Sequence, residues 1–216
     1  MSETSHLKKL AIIGASGHGL VLAESAEKTA KWKHIEFYDD AFPEKTDNPP
    51  YRIQGTSETA MGLNPQEYDF ALGIGNNKIR FELAQKLEHT GYSLPAIIDP
   101  SAVVSKYAQT HAGAFVAAGA VVNARTTIGK FTIINTKAVV EHDCTIADGV
   151  HISPNSSIGG TVTIGGLTWI GIGSCVKNNL SIGSNCVIGA GSVVVSSIDD
   201  NTLAYGNPAK KKQPTC

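Results

Sequence analysis

The sequence predicts two folds in series: a small Rossmann-like α/β domain over residues 1–100, then a left-handed parallel β-helix built on a hexapeptide repeat over residues 101–198, with a C-terminal tail at 199–216. Three observations carry this. Read in sixes from Ala102 to Ser197, the chain never slips register, and 15 of the 16 residues in the third column, Val104 to Val194, are Val or Ile. The first hundred residues alternate apolar runs with helical stretches, opening on KKLAIIGASGHG. The composition agrees: 22 glycines against 6% aromatics imply many tight turns and a core of small aliphatic side chains, which leans away from a helical bundle.

In the first hundred residues, Leu10 to Ile13 reads as a buried strand that breaks into a glycine turn at Gly14 to Gly19, followed by a helix from about Leu20 to Lys31. HIEFYDD is a second strand ending at Asp39 and Asp40, and a Pro-rich loop follows around Asn48 to Pro50. YDFALGIGNN is a third strand ending at Asn76 and Asn77, with a helix from about Lys78 to His89 after it. Such alternation makes a parallel sheet whose ligand edge lies at the strand C-termini.

In the repeat, a β-branched residue every sixth position specifies one short strand per hexad with that side chain pointing inward. Small residues two places earlier (Ala102, Ala114, Ala138, Ser156, Ser174) fit the tight interior, and Gly, Asn and Asp gather at the fourth to sixth places, where the chain turns. Three hexads close one triangular coil, so the segment makes about five coils along on the order of 25 Å. A β-sandwich has no reason to hold a strict six-residue period. Only eight of these 96 residues are charged, so at least one flat face is expected to be covered by further copies, with a homotrimer the natural closed packing.

The 18 basic and 19 acidic residues nearly cancel, which favours neither nucleic acid nor an anionic membrane as partner. Cys144, Cys175, Cys186 and Cys216 form no CxxC pair and no zinc spacing, and they fit reduced thiols in a cytoplasmic protein. No segment reads as a leader peptide or a membrane span.

Gly14, Ser16 and Gly19 form G-x-S-x-x-G, a variant of the loop whose amides cradle a diphosphate. Asp39 and Asp40 stand about 20 residues on, where a ribose or base would be read. A nucleotide-bearing ligand fits. Hydride transfer does not, because too few residues remain for a six-stranded NAD domain and a substrate domain. In the repeat, Glu141, His142 and Asp143 fall at a corner, so His142 is expected to be exposed, and a histidine flanked by carboxylates suits a general base. His151, nine residues on, falls half a coil away. One chain therefore does not bring the two histidines to one face, but a neighbouring copy would, which argues for sites between subunits and against a zinc site within one chain. Asn135 is either an ordinary turn residue or an amide that positions substrate or water; His111 reads as ordinary surface.

IIGASGHG, EFYDD, IGNNKIR, IINTKAVVEHDC, VHISPNSSIGG, WIGIGS and AYGNPAKK together resemble the hexapeptide-repeat sugar N-acetyltransferases, in particular the bacterial enzymes of the bacillosamine pathway. The resemblance covers nearly the whole chain. It implies a homotrimer that uses acetyl-CoA, without a metal, to acetylate the 4-amino group of a UDP-4-amino-4,6-dideoxy sugar. By matching position it implies His142 as general base, Asp143 as its carboxylate partner, Asn135 as a substrate-side contact, and Gly14, Ser16, Gly17, His18, Asp39 and Asp40 around the UDP portion. It further implies His151 at the acetyl thioester, Gly160, Ile172 and Ala190 along the CoA channel, and Pro208 in a tail that lines the CoA end. Two departures stand out: Leu20 where relatives often carry Lys, which leaves the charge compensation of a diphosphate open, and Asp99-Pro100 where they carry His-Pro.

Three other readings make different demands. A sialic-acid-type sugar O-acetyltransferase would use the same histidine on a hydroxyl. A non-enzymatic nucleotide-sensing scaffold would bind nucleotide without turnover. A metal hydratase would need histidines converging on one metal.

Overall fold

The computed structural model describes residues 7–214, and the chain divides into two compact units at Pro100/Ser101. Met1–His6, at the start of the segment read as lacking a leader, and Cys216 lie outside the described residues. The other three cysteines are free thiols, Cys144 and Cys186 of them buried.

The first unit is built on a three-stranded parallel sheet in which β1 (Lys9–Ile13) lies between β2 (Ile35–Tyr38) and a strand at Tyr68–Leu72. Leu10, Ile12, Phe37 and Phe70 are fully buried in it; each contributes about 1.5–3 kcal/mol by leaving water. Helix α1 spans Gly17–Thr29 and starts three residues before the position expected from sequence. Glycines do not delay it, because they occupy its first turn, where the amides lack helical acceptors in any case. Gly19 is required there: a Cβ on it would lie 2.2 Å from the Gly14 carbonyl oxygen. Gly73 closes against the same oxygen, at 2.4 Å for its missing Cβ, so three glycines lock the β1–α1 turn onto the end of the third parallel strand.

The Pro-rich loop forms a small antiparallel hairpin, β3 (Asp47–Asn48) with β4 (Tyr51–Arg52). A short helix, α2 (Ser57–Ala60), precedes β5 (Tyr68–Leu72). That strand stops at Leu72, short of the expected Asn76, because Asn76 is instead the cap of helix α3 (Asn77–His89): its side chain accepts the Ile79 N–H at 3.0 Å. Asp99, at the departure from the family pattern, is fully buried and accepts from Ser25 Oγ at 2.8 Å and Lys28 Nζ at 3.1 Å, which ties it to α1.

The second unit is a parallel β-helix, as the six-residue period requires. Two-residue strands run from Val103–Val104 to Val193–Val194, three to a coil, and each residue pairs with the one 18 positions on, as Val121 does with Val139. The third-column side chains from Val116 to Val194 are all buried; Val104 and Thr110, in the first coil, are partly exposed. Sixth-column residues from Gly113 to Gly191 take a left-handed backbone, among them Arg125 (φ 61°), Asp143 (φ 59°) and Thr161 (φ 60°).

First-column residues do more than save space. Thr126, Thr132, Ser156, Thr168 and Ser174 are buried, and each hydroxyl donates to the carbonyl 15 residues on, at 2.6–3.0 Å. These buried polar atoms therefore stabilise the stack instead of weakening it.

The three faces differ in their outward, second-column residues. One carries Val103, Val121, Val139, Ser157, Cys175 and Val193; the next Gln109, Thr127, Thr145, Thr163 and Ser181; the third Phe115, Ile133, His151, Trp169 and Val187. We call them the valine, hydroxyl and histidine faces. The segment beyond residue 198, expected as a tail, extends the histidine face: Thr202–Tyr205 pairs parallel with the Val187 strand, and Lys210–Pro214 folds back antiparallel.

Candidate active site

His142 stands at the corner between the valine and hydroxyl faces, with its side chain 56% exposed. The 18-residue coil decides what surrounds it. Arg125 lies one coil above Asp143 and Thr161 one coil below, and backbone bonds from Asp143 N to Ala124 O (3.0 Å) and from Thr161 N to His142 O (2.9 Å) fix the stack. Five of the eight charged residues of the repeat region sit on this corner: Lys106, Arg125, Glu141, Asp143 and Lys177.

Asp143 Oδ2 lies 2.7 Å from His142 Nδ1. Arg125 engages the same carboxylate in a fork, Nε to Oδ1 at 2.5 Å and a terminal nitrogen to Oδ2 at 2.8 Å. Arg125 first, and His142 second, hold the Asp143 carboxyl well below the usual carboxylate range. An ionised carboxylate can only accept, so Nδ1 carries the proton and Nε2 keeps the lone pair. Glu141 is turned away from this pair, its Oε2 taken by Asn123 Nδ2 at 2.9 Å.

His151 belongs to the histidine face and is buried, its ring stacked on Trp169 with centroids 6.0 Å apart. Asn135 Nδ2 sits 3.0 Å from His151 Nε2, while Asn135 Oδ1 accepts the Thr136 N–H at 2.8 Å. That second bond orients the amide, so Asn135 donates and His151 Nε2 accepts. Ile172 and Ala190 are exposed and lie one coil apart, on the corner between the histidine and valine faces. Gly160 is not with them. It lies beneath His142, on the other corner, where a Cβ would fall 2.7 Å from the ring. Pro208 is exposed in the turn between the last two strands.

The expected residues of the repeat therefore form two groups on one chain, His142, Asp143 and Gly160 on one corner and Asn135, His151, Ile172 and Ala190 around another. Arg125 and Trp169 join these groups without any local sequence signal. The signal that finds both is the coil length, since each stands 18 positions from a residue already singled out.

In the first unit, the sheet's C-terminal edge collects the glycine turn, Asp39 and Asp40, as expected. Asp39 Oδ2 accepts the Ala15 N–H at 2.7 Å and Oδ1 the Ala41 N–H at 3.0 Å; Asp40 Oδ1 accepts the Ser57 N–H at 2.8 Å. Ser16 Oγ donates to Gly73 O at 3.2 Å. Gly17 is exposed, with nothing within 4 Å of where its Cβ would be. His18 is largely buried, and burial, then the Arg80 charge, pushes it down to about 4. A neutral imidazole brings no charge to a diphosphate. Two unforeseen cations stand at this edge. Lys45 Nζ donates to the Ala15 carbonyl. Buried Arg80, pushed down to about 10 by desolvation, donates to Ile74 O, Gly75 O and Asn77 Oδ1 at 3.0–3.2 Å.

Among the described residues no group of three His, Cys, Asp or Glu could hold a metal ion, and no helix is long and apolar enough to cross a membrane.

A glycine-turn α/β unit followed by a hexapeptide β-helix with a histidine–carboxylate corner defines a two-unit hexapeptide transferase. Residues 9–87 match the family described as PglD N-terminal domain, and 125–160 the bacterial transferase hexapeptide (six repeats). The acetyltransferase domain of PglB from Neisseria gonorrhoeae, solved in complex with acetyl coenzyme A, is 37% identical, with a TM-score of 0.92 over 95% of this chain and 100% of that one. PerB from Caulobacter crescentus, in complex with CoA and GDP-perosamine, is 34% identical, with a TM-score of 0.89 over 95% and 97% of the two chains. The UDP-N-acetylbacillosamine N-acetyltransferase of Bacillus subtilis is 35% identical over 118 residues, a stretch that spans 52% of each protein. The chain belongs to the hexapeptide-repeat sugar N-acetyltransferase family.

Proposed function

We propose that this protein transfers the acetyl group of acetyl-CoA to the 4-amino group of a UDP-linked 4-amino-4,6-dideoxy-N-acetyl sugar, giving UDP-N,N'-diacetylbacillosamine or a stereoisomer of it. The observation that carries the reading is the exposed His142 with Nδ1 on Asp143, which leaves Nε2 as a base. The relatives' acceptors are nucleotide-linked amino sugars by name, UDP-linked in the Bacillus enzyme.

Acetyl-CoA supplies an acyl carbon activated enough for a neutral amine to attack, so the protein's work is to bind, orient and remove a proton. His142 Nε2 takes the proton of the attacking amine, and the imidazolium is stabilised by Asp143. His151 or backbone N–H groups of the coil meet the negative charge that develops on the acyl oxygen. The exposed Trp169 and Ile172 offer apolar surface to the CoA arm. In the first unit, the α1 N-terminus at Ser16 and Gly17 with Lys45 suits a diphosphate, and Asp39 and Asp40 suit the ribose or base.

Two faces of the prism, valine and histidine, are apolar while the third is hydroxyl-lined. This supports a homotrimer in which the His142 corner of one copy meets the His151 face of its neighbour. The free thiols fit a cytoplasmic protein.

The test is incubation with acetyl-CoA and a panel of UDP-, GDP- and dTDP-linked amino sugars, following thiol release and product mass. UDP-4-amino sugar is expected to turn over fastest. Release of thiol only with hydroxyl acceptors, or with no acceptor at all, overturns the proposal.

A further inference from the structure

We propose that Arg125 is a positioning residue of this site: by gripping Asp143 through both carboxylate oxygens, it fixes the carboxylate under His142 Nδ1 and so holds the imidazole in the tautomer that leaves Nε2 as the base. The inference rests on the reading of His142 as base. Its geometry is the continuous chain from the Arg125 fork, at 2.5 and 2.8 Å, through Asp143 to His142 at 2.7 Å.

An exposed aspartate next to a histidine has no reason to hold one rotamer, and a single surface ion pair orders little. A planar guanidinium on both oxygens does, because the fork matches a carboxylate in one plane and one direction. The coil makes this possible: the two residues are 18 apart and both left-handed, so their side chains leave the corner in parallel.

Arg125 also balances the charge of Asp143 through direct contact. The other charged groups on the corner are Glu141, tied to Asn123, and Lys106 and Lys177, each two coils from the 141–143 turn. The turn below His142, Gly159 to Thr161, carries no charge. Among the described residues, Arg125 is thus the one cation in direct contact with the Asp143–His142 pair.

The test reads the imidazole itself. In 15N-labelled full-length protein, His142 signals are assigned by their loss in His142→Gln, and tautomer and titration midpoint are followed in Arg125→Gln, Arg125→Lys and Asp143→Asn. Arg125→Gln is expected to lose the Nδ1–H preference and, with a cation removed, to raise the midpoint. Asp143→Asn is expected to lower it. Arg125→Lys is expected to keep the midpoint and lose part of the tautomer preference. With a turned-over acceptor, kcat in Arg125→Gln is expected to fall roughly 3–10-fold at unchanged KM, with the acid limb of the kcat profile moving as the midpoint does. A wild-type tautomer and midpoint in Arg125→Gln overturn the proposal. A purely structural arginine would not move the two variants' midpoints in opposite directions. Since the spectrum needs no turnover, a failure of acetyl transfer sinks the functional reading and leaves this result standing on its own.

Discussion

Gly160 lies directly beneath the imidazole of His142, so that a Cβ on it would fall 2.7 Å from Cε1 and 2.8 Å from Nε2. Its backbone is not left-handed, so alanine is tolerated there by the chain and refused only by the ring. Gly160→Ala is expected to leave the fold intact and to push His142 off its seat, lowering kcat for acetyl transfer roughly 10–100-fold. His142→Ala should lose on the order of 10²-fold or more. Steady-state kinetics beside an unchanged circular dichroism spectrum checks both; full activity in Gly160→Ala means the ring position does not matter.

How much of this was legible in the sequence follows from what is periodic. The third column of Val and Ile announces the coil, and once 18 residues make a turn, the exposed corner of His142 is arithmetic. Arg125 and Trp169 were legible by the same subtraction, applied to Asp143 and His151, but nothing in their local sequence marks them. Lys45 and Asn48 are different: they reach the glycine turn from a loop with no fixed spacing to it, Asn48 Nδ2 donating to Ser16 O at 3.3 Å. Only tertiary packing reveals them, whereas Arg80 folds back on its own loop, onto residues three to six positions before it. Helix α1 starts earlier than the sequence predicts because Gly17 and Gly19 read as turn residues, whereas Gly19 is a packing requirement inside the helix.

Gly17 separates from its neighbours by the same reasoning. Gly14 and Gly19 are explained by close backbone contact, while Gly17 faces open space at the first position of α1. Gly17→Ala is therefore expected to stabilise the fold slightly, by about 0.5 kcal/mol, yet to weaken UDP binding by tenfold or more, because a methyl group now stands where a phosphate would approach the amides. Calorimetric titration with UDP checks this, and unchanged affinity removes the glycine turn from the nucleotide site.

His18 gives the first unit a pH dependence. Its pKa is near 6.5 in the unfolded chain and about 4 in the folded one, so between these values the unfolded state binds the extra proton. Stability is full above about pH 6.5 and is lost as the pH falls towards 4, by up to about 3 kcal/mol. His18→Gln should flatten this slope in that window, as read by hydrogen exchange of α1 and β1 amides at pH 4.5 and 7. An equal slope in both proteins would assign the acid sensitivity elsewhere.

Thr161 is the one β-branched residue among the left-handed positions of the described chain, at φ 60°, one coil below Asp143. A left-handed backbone costs an L-residue about 1–2 kcal/mol, and branching at Cβ makes this worse, whereas Asn bears it readily. Asn already fills the sixth column one coil below, at Asn179 (φ 60°). Thr161→Asn is thus expected to stabilise the β-helix by about 1 kcal/mol while keeping the Thr161 N–H bond to His142 O and the acetyl transfer rate. Denaturant unfolding of the full chain measures it. A variant no more stable than the wild type would mean that the threonine side chain has contacts at this corner that compensate the strain, and the fall in turnover on its removal would show whether those contacts serve the histidine above.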